Sequence, residues 1–181
     1  MKYFFDTEFN EDGKTIDLIS IGIVAEDGRE YYAISTEFDP RRVNKWVEEN
    51  VLPFLPPRPE YINFSDPSIP PSLKEQSLQW KSRQQIAWDI AAFVGHDGSS
   101  KPEFWAYYAD YDWVVFCQLF GTMGDLPHGF PMYCRDVKQE CDRLGNPRLP
   151  EQGKGEHHAL NDAKWNQLAY NFLSTYSVST S

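Results

Sequence analysis

The stretch KYFFDTEF, residues 2–9, sets two carboxylates inside a run of aromatic residues that reads as a buried strand. Side chains two apart in a strand share a face, so Asp6 and Glu8 point one way and Thr7 the other. Burying one unpaired charge is costly, and two side by side cost more. A chain that keeps this pair in its first strand must fold so that something positive meets that face. The simplest candidate is a divalent metal ion with oxygen ligands. Taken alone, Asp-x-Glu also fits a strand end where both acids are solvated, so the weight falls on the rest of the chain.

After a turn at EDGK (11–14), TIDLISIGIVAEDG (15–28) is rich in Ile and Val and ends in a Gly turn, and REYYAIS (29–35) follows. These strands close a meander of short hairpins. DPRRVNKWVEENVL (39–52) carries Val43, Trp46, Val47 and Val51 at helical spacing behind Asp-Pro. Seven prolines fall within 53–71, which predicts a loop or extended arm. Beyond it, SLQWKSRQQIAWDIAAFVG (77–95) predicts a helix and EFWAYY (103–108) a fourth strand. DYDWVVFCQLFG (110–121) predicts a helix, FPMYC (130–134) a short fifth strand, and DVKQECDRLG (136–145) a helix with a Gly stop. HHALNDAKWNQLAYNFLSTY (157–176) is the last helix, with Leu160, Leu168 and Phe172 at helical spacing.

Hairpin-linked strands followed by alternating strands and helices predict an α/β chain, a mixed five-stranded sheet flanked by helices. A chain of 181 residues suffices for a single domain, 1–181, with a sizeable core. The Pro-rich stretch, around 53–78, reads as an insertion in it and not as a boundary. No apolar run reaches the ~18 residues of a membrane span, and the chain enters its first strand with no signal peptide. Three irregularly placed cysteines, Cys117, Cys134 and Cys141, make neither a disulfide framework nor a zinc site, so a reducing cytoplasm is the expected setting. A net charge of −10 argues against a generic basic nucleic-acid-binding surface. It does not exclude an enzyme that grips a few nucleotides through bound cations.

Two further acid groups follow. In YYADYDWV (107–114), Asp110 and Asp112 lie between a strand and a helix, where either one alone fits a helix cap. In EHHALNDAKW (156–165), Asp162 opens the last helix with His157 and His158 just before it. Helix geometry favours His158 as its neighbour, since residues four apart share a face. Residues five apart stand about 140° apart at 3.6 residues per turn. Gly153 and Gly155 leave room for a loop that would carry His157 outside the helix.

The order Asp6-Thr7-Glu8, then Asp112 after Tyr111, then His157 through Asp162-Ala163 resembles the histidine branch of the DEDD superfamily of 3′-to-5′ exonucleases. YFFDTEFNEDGKTIDLISIGIVAEDGREYYAISTEFDP and WKSRQQI are similar to the bacterial polyadenylate-specific exoribonucleases, across most of the chain outside the Pro-rich stretch. The resemblance implies an RNase H-like fold and two magnesium or manganese ions held by Asp6, Glu8, Asp112 and Asp162. It points to Asp112 because the family's acid follows an aromatic residue, with Asp110 the open alternative, and to His157 over His158. It also implies hydrolysis of single-stranded RNA or 3′ overhangs into nucleoside 5′-monophosphates, a preference for adenylate-rich RNA, and a homodimer.

The chemistry explains the residue types. A phosphodiester resists water because its oxygens are negative, and two dications about 3.5–4 Å apart stabilise both the attacking and the leaving oxygen. Holding them takes several carboxylates, with Asp6 the best bridge. A near-neutral histidine can take the proton of the attacking water. Phe9, directly after the acid pair, is a candidate to stack on a terminal base, although a core position fits it too; Glu8 and Thr7 complete the candidate substrate contacts. Trp80, Trp88 and Trp165 read as packing residues. The rival readings are an exodeoxyribonuclease with a proofreading-like role and an inactive nucleic-acid-binding module. The second has no need of four acids and a histidine.

Overall fold

The structure, a computed structural model, describes residues 1–95, 101–153 and 155–176. Strand β1 (Lys2–Glu11) pairs antiparallel with β2 (Ile16–Ala25), and β2 pairs antiparallel with β3 (Glu30–Ser35). Strands β4 (Trp80–Lys81), β5 (Glu103–Ala106) and β6 (Arg135–Asp136) join in parallel, giving one mixed sheet in the order β4-β3-β2-β1-β5-β6. The helices are α1 (Lys45–Asn50), α2 (Pro71–Ser77), α3 (Arg83–Val94), α4 (Asp110–Gln118), α5 (Val137–Arg143) and α6 (Ala159–Thr175).

Alternation along β1 divides the core. Tyr3 and Phe5 face α3 and α4, where Ile86, Ile90, Trp113 and Phe116 are buried with them. Phe4 faces the other way, against Ala169 and Leu173 of α6. Ile19, Tyr32 and Ile34 on that second face bury Val47 and Val51 beside α1 and Ala159 at the start of α6. Each such fully buried apolar side chain contributes roughly 1.5–3 kcal/mol, so the sheet is held as a central layer between two sets of helices.

The sheet has six strands where the sequence predicts five. The extra strand, β4, has two residues, too few to leave a periodicity; it takes the opening of the helix predicted from residue 77. That helix starts at Arg83, because Ser82 and Gln85 form a reciprocal capping box. The strand predicted at 130–134 does not form, and the chain pairs one step later, at Arg135 and Asp136. The helix predicted over 39–52 shortens to α1, because the Asn44 side chain accepts the Val47 N–H and so fixes the start. Trp88, read as a packing residue, is 64% exposed.

The Pro-rich stretch is stapled to the β3–β4 edge. Trp80 Nε1 donates to the Pro56 carbonyl at 3.0 Å, and the Arg58 guanidinium lies 4.7 Å over the Trp80 ring and 5.6 Å over Phe38. Arg58 also donates to the carbonyls of Thr36 and Phe38. Proline at the first position of α2 closes the segment with a helix that lies inside the predicted insertion.

Two features of β1 and β2 shape the end of the sheet that matters most. Gly22 of β2 pairs with Asp6, and a Cβ there would lie 2.3–2.4 Å from backbone atoms of Ala159 and Leu160. The missing side chain is therefore what lets the start of α6 touch the sheet. In addition, β5 accompanies β1 only as far as the Phe4–Trp105 pair. Beyond it, the β5-facing edge of β1 is met by side chains: Asn166 Nδ2 donates to the Phe5 carbonyl at 2.9 Å, and Asp112 accepts the Thr7 N–H at 2.8 Å. Backbone groups that have lost their ladder partner are thus still paired.

Gly22→Ala is expected to push α6 off the sheet and destabilise the protein by about 2 kcal/mol or more, the usual scale for overpacking against backbone. Urea unfolding checks this, and an unchanged midpoint would mean that the α6 contact yields freely.

Candidate active site

Asp6 and Glu8 lie on the α6 face of β1, and the ladder is bulged directly after Glu8. Thr7, on the opposite face, is buried, and its N–H and Oγ1 both donate to Oδ1 of Asp112, at 2.8 and 2.6 Å. Asp112 sits in the first turn of α4, where the helix N-terminus favours a carboxylate. It is buried, whereas Asp110 of the same turn is exposed. The structure thus brings Asp112, and not Asp110, against β1. The start of α4 is itself held by the carboxylate of Asp136, which accepts the Ala109 N–H at 3.0 Å.

Asp162 comes from the first turn of α6. Asn166, one turn further along, is the residue tied to the Phe5 carbonyl, so one helical face carries both the acid and the tether that sets its height over β1. Asp162 accepts the backbone N–H of His157 at 3.0 Å and a hydrogen bond from the Gln152 amide. His157 precedes the helix and has φ of 66°, a left-handed conformation uncommon for a residue with a Cβ. That turn removes the angular objection to residues five apart, because His157 does not lie on the helix. Ligand atoms of Glu8, His157 and Asp162 all fall within 4.8 Å of one another. His158 is the N-cap residue, stacked on the Tyr32 ring at 4.4 Å and away from this group.

The electrostatics describe a site short of positive charge. Burial first, then the charges of Asp112, Glu8 and Asp162, hold the Asp6 carboxyl well above the usual carboxylate range. Glu8 is pushed to about 8 by burial and then by Asp162 and Asp112. Burial raises Asp112 to about 6 in spite of the two Thr7 hydrogen bonds, which favour its ionised form. Asp162 is raised by burial against the pull of the His157 N–H and Gln152. All the charges that act on Asp6 and Glu8 are carboxylates. A cluster of hard oxygen donors that disfavours its own ionisation, with an imidazole beside it, fits a divalent cation.

Sequence reasoning placed Thr7 among the substrate contacts, but its hydroxyl is committed to Asp112 and its side chain is buried. Phe9 is partly buried and meets the exposed Tyr111 ring at 5.9 Å. Two neighbours of the site escaped the sequence. Trp46, counted there only as an apolar position of α1, is 51% exposed and sets its ring edge-on to His157 at 4.8 Å. Gln152, in an irregular segment, carries no pattern that would single it out. Arg41 and Lys45, basic residues of the 39–52 segment, are solvated and pair with Asp39 and Glu49.

Comparison with known proteins adds to this geometry. A family model described as the 3′-5′ exoribonuclease Rv2179c-like domain matches residues 70–173. The 3′-5′ exoribonuclease Rv2179c of Mycobacterium tuberculosis H37Rv is 48% identical over 164 residues, covering 91% of this chain and 88% of its own. The same figures hold for the 3′-5′ exoribonuclease MT2234.1 of M. tuberculosis CDC 1551. Among solved structures, the nuclease domain of 3′hExo, described as a DEDDh family member bound to rAMP, superposes with a TM-score of 0.53 at 10% identity. That alignment covers 98% of this chain and 93% of the other, and it bears on the fold.

The raised carboxyls have a consequence for stability. A group whose pKa is higher in the folded than in the unfolded state contributes stability that is lost as pH rises through its folded value. For Glu8 that window runs upward from 4.5 to about 8. His158, lowered by burial from 6.5, acts in the opposite sense only at and below that value. In EDTA the melting temperature is therefore expected to fall between about pH 6.5 and pH 8.5, and Glu8→Gln to flatten that fall. Thermal melts across this range check it; a Glu8→Gln curve parallel to the parent would remove Glu8 as the source.

Proposed function

The chain belongs to the Rv2179c-like 3′-5′ exoribonuclease family, and from that membership we propose a divalent-metal-dependent enzyme that removes nucleoside 5′-monophosphates one at a time from the 3′ end of single-stranded RNA. The observation that carries the chemistry is the convergence of Glu8, His157 and Asp162 within 4.8 Å, with Asp6 and Asp112 repelling the same charges. The whole of 1–181 is read as one exonuclease domain with the Pro-rich stretch as an insertion. A preference for adenylate, a homodimeric state and a cytoplasmic setting complete the proposal. The first two rest on the resemblance of the N-terminal strands to the polyadenylate-specific enzymes, and the third on the three irregularly placed cysteines.

Asp6, Glu8, Asp112 and Asp162 are the residues that would hold two magnesium ions, with manganese as a substitute. When bound, such ions neutralise the phosphate and stabilise the attacking and leaving oxygens of an in-line displacement. The chain's own residues do the rest. An imidazole nitrogen of His157 takes the proton of the attacking water. The left-handed turn at His157 and the hydrogen bond from its N–H to Asp162 set where the ring stands. Trp46 buttresses the ring edge-on. Phe9 and Tyr111 offer aromatic faces beside Glu8 and Asp112, where a terminal base can stack at roughly 1–3 kcal/mol. Exonucleolytic action requires a free 3′ hydroxyl to be seated next to the acids.

The test is a time course on RNA homopolymers that differ at the 3′ end, with and without EDTA, with products identified by mass. Expected are 5′-monophosphates in magnesium, fastest from poly(A), none in EDTA, and no digestion of a 3′-phosphorylated strand. Cuts in a circular RNA would refute the exonuclease reading, and equal digestion of matched DNA would favour an exodeoxyribonuclease. Asp6→Asn is expected to keep the fold and lower turnover by more than about a hundredfold, the upper scale for losing a group that merely supports a metal ligand.

The two histidines separate the roles further. His157→Ala is expected to lower turnover by about a hundredfold or more, the scale for losing a general base. His158→Ala is expected to change it by less than about tenfold, since the ring packs on Tyr32. Steady-state rates of both variants decide it, and a larger loss at His158 would reassign the base.

A further inference from the structure

Asp6 and Glu8 present their carboxylates on one face of β1, while the residue between them does its work on the other. Thr7 offers two donors, its backbone N–H and its hydroxyl, and both reach the same oxygen, Oδ1 of Asp112, at 2.8 and 2.6 Å. Both residues are buried, Thr7 at 5% and Asp112 at 6% exposure. Neither Thr7 donor reaches Asp112 Oδ2.

Two bonds to one oxygen fix a carboxylate differently from one bond to each. The first arrangement pins the rotation of the group and leaves one oxygen clear of the Thr7 donors. The second would engage both oxygens and leave neither wholly free for a cation. The N–H donor is available because β5 has already left β1 at the Phe4–Trp105 pair. The hydroxyl donor belongs to the threonine side chain; valine has the same shape and lacks it.

We propose that Thr7 is a positioning residue for Asp112, and that its hydroxyl, together with its N–H, turns Asp112 so that Oδ2 is the oxygen offered to a divalent cation. The inference rests on the reading of Asp112 as a metal ligand. It makes the three consecutive residues 6, 7 and 8 one device: the outer two supply carboxylates and the middle one orients a third from across the sheet. Serine can do the same work, since it keeps the hydroxyl.

The test compares Thr7→Val, Thr7→Ser and Asp112→Asn, first for manganese binding by electron paramagnetic resonance without RNA, then for kcat and KM on a single-stranded RNA in magnesium. Circular dichroism melts in EDTA accompany each variant. Thr7→Val is expected to weaken manganese binding and lower kcat by about tenfold to a hundredfold, the scale for losing a hydrogen bond that orients a metal ligand. Its KM for RNA is expected to stay within about twofold, because the hydroxyl faces away from the open site. Thr7→Ser is expected to retain both properties within about threefold. Manganese affinity and kcat unchanged in Thr7→Val, with Asp112→Asn impaired, would overturn the role of Thr7 while leaving the site reading intact. Equal losses in the serine and valine variants would assign the effect to the fit of the whole side chain at this position and overturn it too. Full manganese binding by Asp112→Asn would overturn the site reading and this inference together. If Thr7→Val melts too low to assay, the serine variant decides: retention upholds the hydroxyl's role and loss refutes it.

Discussion

The early departure of β5 from β1 is the constraint on which the site depends. A strand that loses a neighbour halfway along leaves backbone groups facing an unfilled edge, and such groups have to be paired. Here the pairing comes from side chains on the two helices that flank the sheet, Asn166 of α6 and Asp112 of α4. Each bond fixes its helix relative to β1. As a result, Asp162, one turn before Asn166, and Asp112 itself arrive beside Asp6 and Glu8 from opposite faces. The site lies past the carboxyl end of β5, on the part of β1 that β5 no longer accompanies.

That geometry sets stability against function. Burial raises all four carboxyls, and the charges of their neighbours add to it at Asp6 and Glu8. Natural proteins rarely accept such a cluster unless charge is brought in from outside the chain. The surrounding bonds reduce the penalty locally: the Thr7 donors favour ionised Asp112, and the His157 N–H and Gln152 favour ionised Asp162. Glu8 and Asp6 are left as the groups under greatest electrostatic stress. The protein is therefore held together by its apolar layers, with Phe5, Ile21 and Phe116 fully buried, and carries the acid cluster as a load on that frame.

What the sequence disclosed follows from the range of each signal. Alternation in β1 told which way Asp6, Thr7 and Glu8 face, the wealth of Ile and Val located β2, and the Gly turn after it located β3. Strands of two residues, β4 and β6, carry no alternation and were missed or misplaced. Asp110 and Asp112 are indistinguishable as helix-start acids; only the tertiary contact with Thr7 separates them. Thr7 shows the limit well, since its direction was readable and its partner, 105 residues away, was not. The choice of His157 over His158 came from family resemblance against local helix geometry, and the left-handed turn at His157 is the physical reason that geometry did not apply. Trp46 and Gln152 needed the folded chain, because neither spacing nor composition links Trp46 to His157, more than a hundred residues on, or Gln152 in its irregular segment to Asp162.

The two edges of the sheet end in its shortest strands, Trp80–Lys81 and Arg135–Asp136. A growing sheet needs a long, flat row of free backbone groups as its template, and a ladder two residues long offers almost none. The stapled Pro-rich arm adds residues that cannot donate along such a ladder on the β4 side. The fold is thereby guarded against adding strands from a neighbouring chain, a hazard that an exposed β3, ending in buried Ile34 and Ser35, would otherwise invite. The surfaces left for another chain to meet are those of helices and loops, away from the sheet that carries the acids.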